Sequence, residues 1–250
     1  MTHPIRVGIG GWTYEPWRGV FYPDTLTQKR ELEYASSRLT SIEINGTYYS
    51  GFKPETWAKW RDETPDGFVF AVKASRFCTN RRVLSDGKES FDKFLNQGLT
   101  ELGDKLGPIN WQFMATKKFD SIDFEGFLKL LPKELDGLRL RHALEVRSPT
   151  FNTPQFVDLA AKYGCAIVYA EDDEAPDWPR IDEDTADFKY ARVMSSREDE
   201  ETGMTSAELD AVAERTKAWA KRGDVFCYFI AGAKVRNPAA AQALIAKLGE

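Results

Sequence analysis

Residues 41–49 read Ser-Ile-Glu-Ile-Asn-Gly-Thr-Tyr-Tyr. The first five of them alternate polar and apolar side chains, a period that is typical of a β-strand with two different faces. One face carries Ile42 and Ile44, and the other carries Glu43. A carboxylate on an otherwise buried strand costs free energy unless a partner neutralises it. The stretch therefore predicts a strand whose polar face meets other polar side chains inside the fold.

Strand-like segments of this kind recur along the chain and mostly alternate with helical ones. The predicted strands cover residues 7–11, 41–45, 68–74, 109–113, 142–147, 165–169, 188–194 and 225–229. The predicted helices cover residues 25–37, 53–63, 91–102, 123–131, 154–163, 205–222 and 238–248. Strands that alternate with helices predict a parallel sheet. Eight strands in 250 residues favour a closed α/β barrel of the (β/α)8, TIM type over an open doubly wound sheet. No repeat or linker interrupts the pattern, so we expect one domain spanning residues 1–250.

Composition narrows the function classes. Aromatic residues make up 13% of the chain, with seven Trp, which slightly favours a ligand pocket. The net charge of −5 disfavours binding of nucleic acid over the whole surface. Three separated Cys indicate reduced thiols in a cytoplasmic protein, and two His argue against an imidazole zinc site. The chain lacks an apolar signal region and any stretch of roughly 20 apolar residues, so no membrane association is expected.

Polar side chains lie near the ends of several predicted strands. If Ile42 and Leu144 face the helices, their strand neighbours face the barrel interior. The inward residues are then Glu43, Lys73, Gln112, Glu145, Arg147 and Arg192. Barrels of this type build active sites at strand ends. Two negative and three positive charges leave one positive charge in excess, which suits an anionic group such as a carboxylate or a phosphate.

Structural explanations compete for the same residues. A barrel interior can hold ion pairs, and Glu43–Lys73 or Glu145–Arg192 would then only fill space. A solvated surface loop is the corresponding explanation for Arg76.

Several segments resemble a known protein family. They read GGWTY at 10–14, WRGVFYP at 17–23, EINGTYY at 43–49, FAVKASR at 70–76, LGDKLGP at 102–108 and LEVRSP at 144–149. Together they are similar to the domain-of-unknown-function family 72, the YecE-like proteins, from residue 7 to about residue 248. The resemblance implies a TIM-type barrel, in agreement with the strand count. It implies no activity, because the function of that family is not established.

The chain also departs from the family pattern. The family usually has His after the Arg of the fifth strand, and Trp two residues beyond the next Pro; Ser148 and Phe151 stand there. The seventh-strand motif usually ends Arg-Leu-His-Gly, and here Met194 replaces the His. After the last strand, Ile230 and Ala231 replace Asn residues. These changes put any His-dependent chemistry of the family in question for this chain.

One hypothesis is an enzyme, a hydrolase, lyase or isomerase, that acts on a small polar anion. Glu43 and Glu145 would be the acid–base pair, and a variant makes Lys73 a Schiff-base nucleophile. A retaining glycosidase requires the two carboxylates to lie about 5 Å apart. The expected ligand-binding residues are Trp12, Tyr14, Asn45, Tyr48, Arg76, Gln112, Arg147 and Arg192.

Other hypotheses remain open. The same pocket suits a non-catalytic protein that binds an anionic ligand. Single-stranded nucleic acid along residues 76–82 is a further alternative, which the acidic net charge disfavours. No cofactor is predicted. A divalent metal on Glu43 and Glu145 is conceivable, but too few oxygen ligands are apparent to predict one. The sequence does not indicate an oligomeric state.

Overall fold

Eight parallel strands close into a barrel in the order in which they follow along the chain. The structure, a computed structural model, describes residues 2–249. The strands are β1 Ile5–Gly10, β2 Ser41–Ile44, β3 Val69–Lys73, β4 Leu106–Gln112, β5 His142–Glu145, β6 Ala166–Glu171, β7 Phe188–Val193 and β8 Asp224–Phe229. Strand β8 pairs with β1, as Ile5 with Val225 through Ile9 with Phe229, and this pairing closes the sheet. The (β/α)8 barrel predicted from the sequence is confirmed.

Helices surround the barrel. They are α1 Glu31–Ser36, α2 Pro54–Asp62, α3 Arg76–Thr79, α4 Lys88–Leu95, α5 Ser121–Leu128, α6 Pro154–Tyr163, α7 Ser206–Trp219 and α8 Asn237–Leu248. The predicted helix 25–37 was too long, because Arg30 leaves the helical conformation (φ −103°, ψ 3°). The predicted helix 91–102 is also wrong: α4 ends at Leu95, and Gly98 (φ 106°) separates it from a 3-10 helix, Leu99–Lys105.

Side chains alternate between the two faces of the barrel, as the pattern at residues 41–45 predicts. The outward residues Ile42, Ile44 and Leu144 pack in the core that the helices share. Inside the barrel a second apolar cluster comprises Val69, Ala71, Ala143, Ala166, Val168, Phe188, Tyr190, Phe226 and Tyr228. Polar side chains lie further along the same inward faces, toward the carboxyl ends of the strands. The barrel interior therefore has an apolar base and a polar layer above it.

Local capping positions one of the helices as the sequence predicts. Thr153 Oγ1 accepts a hydrogen bond from the Phe156 amide, Pro154 begins α6, and Gly164 ends it in the left-handed conformation. A short antiparallel ribbon before β5, Glu134–Leu135 with Leu138–Arg139, was not predicted. Between residues 2 and 249, no helix combines the length and the apolar character that crossing a bilayer requires.

Candidate functional site

Arg192 lies in the polar layer of the interior and joins two carboxylates. Its Nη2 donates to Glu43 Oε1 at 3.1 Å, and its Nη1 donates to Glu145 Oε2 at 2.7 Å. The Arg192 side chain is 2% exposed and both glutamates are 0% exposed. Strands β2, β5 and β7 bring the three side chains together because parallel strands end at the same side of the barrel. The guanidinium fork lets each charge be satisfied without water.

Two neutral side chains and a second arginine complete this layer. Asn110 Nδ2 on β4 donates to Glu43 Oε2 at 3.3 Å and to Glu145 Oε2 at 3.0 Å. The Tyr190 hydroxyl donates to Glu43 Oε2 at 2.5 Å. Arg147 Nη2 donates to the remaining oxygen, Glu145 Oε1, at 2.6 Å. All four carboxylate oxygens therefore accept hydrogen bonds from the protein itself.

The electrostatics keep Glu145 ionised. Burial on its own raises the pKa of Glu145, but the charges of Arg192, Arg147 and Lys73 outweigh it and lower the pKa to about 2. The pKa of Arg192 is raised: burial lowers it, and attraction to Glu145 and Glu43 outweighs the burial. A carboxylate with a pKa of about 2 is a weak base at neutral pH. This disfavours the predicted role of Glu145 as a carrier of protons.

An open cavity of about 520 Å³ borders this layer at the carboxyl end of the barrel. Its wall consists of Gly10, Asn45, Tyr48, Tyr49, Lys73, Gln112, Arg147, Arg192, Met194, Ile230, Ala231, Lys234 and Asn237. Among these described residues four are basic and none is acidic. Glu43 and Glu145 lie beneath the wall, so a molecule in the cavity meets the cations that the carboxylates hold. Barrels of this type place their active sites at this end.

Lys73 is the last residue of β3, and its side chain is partly exposed to the cavity. Its Nζ lies 4.5 Å from the centre of the Tyr48 ring. Within the described part of the chain, no carboxylate oxygen lies within 4.0 Å of this nitrogen. Burial, followed by repulsion from Arg192, lowers the pKa of Lys73 to about 8, although Glu145 and Glu43 oppose the shift. Lys73 is therefore an amine that loses its proton close to neutral pH.

Arg147 provides a guanidinium group whose orientation is fixed by its neighbours. Its Nε and Nη2 donate to Glu145 Oε1 at 2.8 and 2.6 Å, and Nη2 also donates to Gln112 Oε1 at 3.1 Å. The guanidinium carbon lies 4.2 Å from the centre of a Trp178 ring, in the loop after β6. A carboxylate and an indole thus fix the orientation of a cation whose side chain is still 21% exposed.

The loop after β8 adds the fourth basic side chain. Lys234 Nζ lies 4.2 Å from the centre of the Tyr14 ring. No carboxylate of residues 2–249 comes within 4.0 Å of it, and burial lowers its pKa. The same loop carries Ala231 at φ 60°, a left-handed conformation that costs a residue other than Gly roughly 1–2 kcal/mol.

The structure places most of the predicted site residues on or beneath the cavity wall. On the wall lie Asn45, Tyr48, Lys73, Gln112, Arg147 and Arg192, and beneath it lie Glu43 and Glu145. Trp12 does not line the cavity: it packs edge-on against Trp60, with ring centres 5.1 Å apart. Tyr14 is not part of the cavity wall, but its ring contacts the wall residue Lys234. Arg76 lies outside it and is exposed, because the chain turns into α3 at this residue.

Sequence reasoning did not select five side chains that belong to the layer or the wall. They are Asn110, Trp178, Tyr190, Lys234 and Asn237. Asn110 and Tyr190 lie two residues before Gln112 and Arg192 on the same strands, so alternation alone would have found them. The other three come from the loop after β6 and from the segment after β8, whose paths no periodicity predicts.

Three positions at which the sequence departs from the family pattern lie on the wall. Met194 follows β7, and Ile230 and Ala231 follow β8. They add apolar surface to a cavity that is otherwise lined largely by polar and basic residues. The cavity therefore suits a ligand with both a carbon skeleton and an anionic group.

Residues of the kinds that commonly bind metals lie elsewhere or are already paired. Within residues 2–249, no group of three or more His, Cys, Asp and Glu side chains is placed to hold a metal ion. His142 is buried, and its Nδ1 accepts a hydrogen bond from Trp111 Nε1 at 3.1 Å. A divalent metal on Glu43 and Glu145 does not fit this arrangement, because Arg192 already occupies the space between them.

Two curated relatives are similar to part of the chain. UPF0759 protein YecE of Escherichia coli K12 is 26% identical over 150 residues, which are 59% of this chain and 50% of that protein. UPF0759 protein YunF of Bacillus subtilis is 29% identical over 114 residues, 44% of this chain and 39% of that protein. These alignments span half or less of the length of the relatives.

Solved structures share the fold over nearly the whole chain. A DUF72 family protein of Thermotoga maritima superposes with a TM-score of 0.80 at 21% identity, covering 99% of this chain and 100% of that one. One from Enterococcus faecalis gives a TM-score of 0.77 at 16% identity, with 99% and 98% coverage. The family model described as "Protein of unknown function DUF72" matches residues 6–250. The chain therefore belongs to the DUF72 family, as the sequence motifs predict.

Proposed function

We propose that the protein binds a small anionic molecule in the cavity and acts on it as an enzyme of the hydrolase, lyase or isomerase type. The observation that supports this most strongly is the charge of the wall. Lys73, Arg147, Arg192 and Lys234 line the cavity, and none of the other described lining residues is acidic. In a chain with a net charge of −5, this is a local concentration of positive charge. Carboxylate and phosphate groups are the ligands that such donors favour.

In this proposal the buried carboxylates hold the cations in place. Glu43 and Glu145 fix the fork of Arg192, which forms the floor of the cavity. The Nε of Arg192 is buried and has no hydrogen-bond partner in the described part of the chain. Arg147 and Lys234 bind the anion, and Lys73 is the reacting group because it titrates near neutral pH.

A non-catalytic binding protein is the second candidate. It is favoured by the saturation of both carboxylates, whose oxygens all accept hydrogen bonds from the protein and are not free to act on a ligand. Turnover of a metabolite mixture, followed by mass spectrometry, separates the two candidates. Consumption of a compound by the wild type and not by Lys73→Met supports the enzyme, whereas binding without consumption supports the binding protein.

The anion itself is tested by thermal melting in phosphate and in chloride at equal ionic strength. Phosphate at one hundred times its Kd should stabilise the wild type by about 2.7 kcal/mol. The increment specific to phosphate should fall in Lys73→Met and in Lys234→Met. Lys93→Met is the matched control, because Lys93 is exposed and lines a neighbouring cavity. Equal phosphate increments in all four proteins would show that the stabilisation does not come from this cavity.

A further inference from the structure

Lys73 lines the same cavity as Arg147 and Arg192, and the charges of both guanidinium groups act on its amine. We infer that its Nζ forms an imine with a carbonyl group of the ligand, so that the ligand is a small anion carrying a ketone or an aldehyde. A 2-oxo acid and a phosphorylated ketone belong to this class. The inference rests on the proposed function, since it assumes that the cavity binds an anion.

Two buried lysines show by comparison what is unusual about Lys73. Lys105 and Lys189 are each 7% exposed. Lys105 Nζ donates to the Thr64 carbonyl at 2.6 Å, and Lys189 Nζ pairs with Asp182 at 2.9 Å. Lys73 Nζ has no such acceptor among residues 2–249, and its neighbour is the face of an aromatic ring. Hydrogen-bond acceptors stabilise the ammonium form of a lysine, so an amine without them loses its proton more readily. The neutral amine then carries the lone pair that attacks a carbonyl group.

The surroundings of Lys73 also favour a ligand of this class. A carboxylate or phosphate on Arg147 places the adjacent carbon atoms within the same cavity as the Lys73 amine. Met194 and Ile230 offer apolar contact for those carbons. A cavity of about 520 Å³ lies within the usual size range of small-molecule sites, so a small anion fits with room for water. Binding of the anion would thus position the carbonyl for reaction.

The step balances without an oxidant or a reductant. The neutral amine of Lys73 attacks the carbonyl carbon, the electron pair of the C=O double bond moves to oxygen, and that oxygen takes a proton. The resulting carbinolamine then loses its hydroxyl with a proton as water, and a C=N double bond forms. One amine and one carbonyl give one imine and one water. A protonated imine draws electrons from a neighbouring C–H or C–C bond, which is lyase or isomerase chemistry and not hydrolysis.

Reduction with sodium borohydride tests the inference, because it converts an imine into a stable secondary amine. The full chain is incubated separately with pyruvate, glyoxylate and dihydroxyacetone phosphate, reduced, and analysed by intact mass and peptide mapping. With at least one probe we expect a single adduct on the peptide that contains Lys73, at least tenfold above any other lysine peptide. Lys73→Arg should lose this adduct, whereas Lys93→Met, a change of an exposed lysine outside the cavity, should keep it on Lys73.

Two results would overturn the inference. One is that no probe modifies Lys73 above the level of exposed lysines such as Lys88, and the other is an equal adduct yield in Lys73→Arg. Melting curves of both variants verify that they are folded. If Lys73→Arg is not folded, Lys73→Met replaces it in the adduct experiment. The stabilisation of the same wild-type sample by phosphate separates the two proposals. If phosphate stabilises the protein but no adduct forms, the imine alone is overturned. If neither is observed, anion binding is overturned as well.

Discussion

Lys73 and Arg192 differ in what their charges contact. Arg192 neutralises two fully buried carboxylates, whereas Lys73 has no carboxylate within 4.0 Å among the described residues. Lys73→Met should therefore change the free energy of unfolding by less than about 1 kcal/mol. Arg192→Met should cost at least about 3–5 kcal/mol, because Glu43 and Glu145 are left buried without their partner. Chemical denaturation at pH 7 measures both. A comparable loss in Lys73→Met would mean that its ammonium serves to neutralise the layer.

The stability contributed by Glu145 should depend on pH. Its pKa is about 2 in the folded protein and 4.5 without the fold, so the folded state binds its proton less readily. A carboxyl whose pKa is lower in the folded state stabilises the fold at pH values above its pKa in the unfolded state. This contribution disappears as the pH falls from 4.5 toward 2. The shift corresponds to about 3 kcal/mol at 1.36 kcal/mol per unit. The gap in unfolding free energy between the wild type and Glu145→Gln should narrow over this range in denaturation experiments. A constant gap from pH 7 to pH 2.5 would contradict the assignment.

The loop after β8 carries backbone strain next to the cavity. Ala231 has φ 60°, whereas Ala233 in the same loop has φ −73°. Ala231→Gly should leave stability unchanged or raise it by up to about 1 kcal/mol, because Gly adopts the left-handed region without a steric cost. Ala233→Gly, the matched control, should lose about 0.4–1 kcal/mol through the greater freedom of the unfolded chain. Equal losses in the two variants, measured by chemical denaturation, would show that Ala231 is not strained.

The strands were easier to predict than the helix ends. Alternation at Ile42, Glu43 and Ile44 is a property of the strand itself, so it can be recognised without knowing the neighbours. Helix α4 ends before Gly98, which has φ 106° and packs so closely on Pro54 that a Cβ atom would lie 2.8 Å from the Pro54 Cα. That contact joins residues far apart in the sequence. The ribbon before β5 turns at Asp136–Gly137, where both residues have positive φ. An Asp-Gly pair is a strong local signal for such a turn, and it was overlooked.

The pairing inside the barrel lay beyond the sequence for a geometric reason. Alternation along the strands places Glu43, Lys73, Glu145 and Arg192 on inward faces, but their depth inside the barrel depends on the stagger between strands. Alternation alone cannot distinguish a Glu43–Lys73 pair from the observed Glu43–Arg192 pair. The same limit applies to burial, because only the closed barrel shows that the carboxylates lie below the wall and Lys73 on it.

Over the whole molecule, an acidic protein holds a basic cavity at one end of its barrel. The most direct test is to locate an anion in crystals soaked with selenate, using the anomalous scattering of selenium. We expect the strongest selenate peak inside the cavity, with oxygens about 3 Å from Arg147 and from Lys73 or Lys234. Selenate bound only at outer basic residues such as Arg82, with none in the cavity at the same concentration, would show that the cavity is not an anion site.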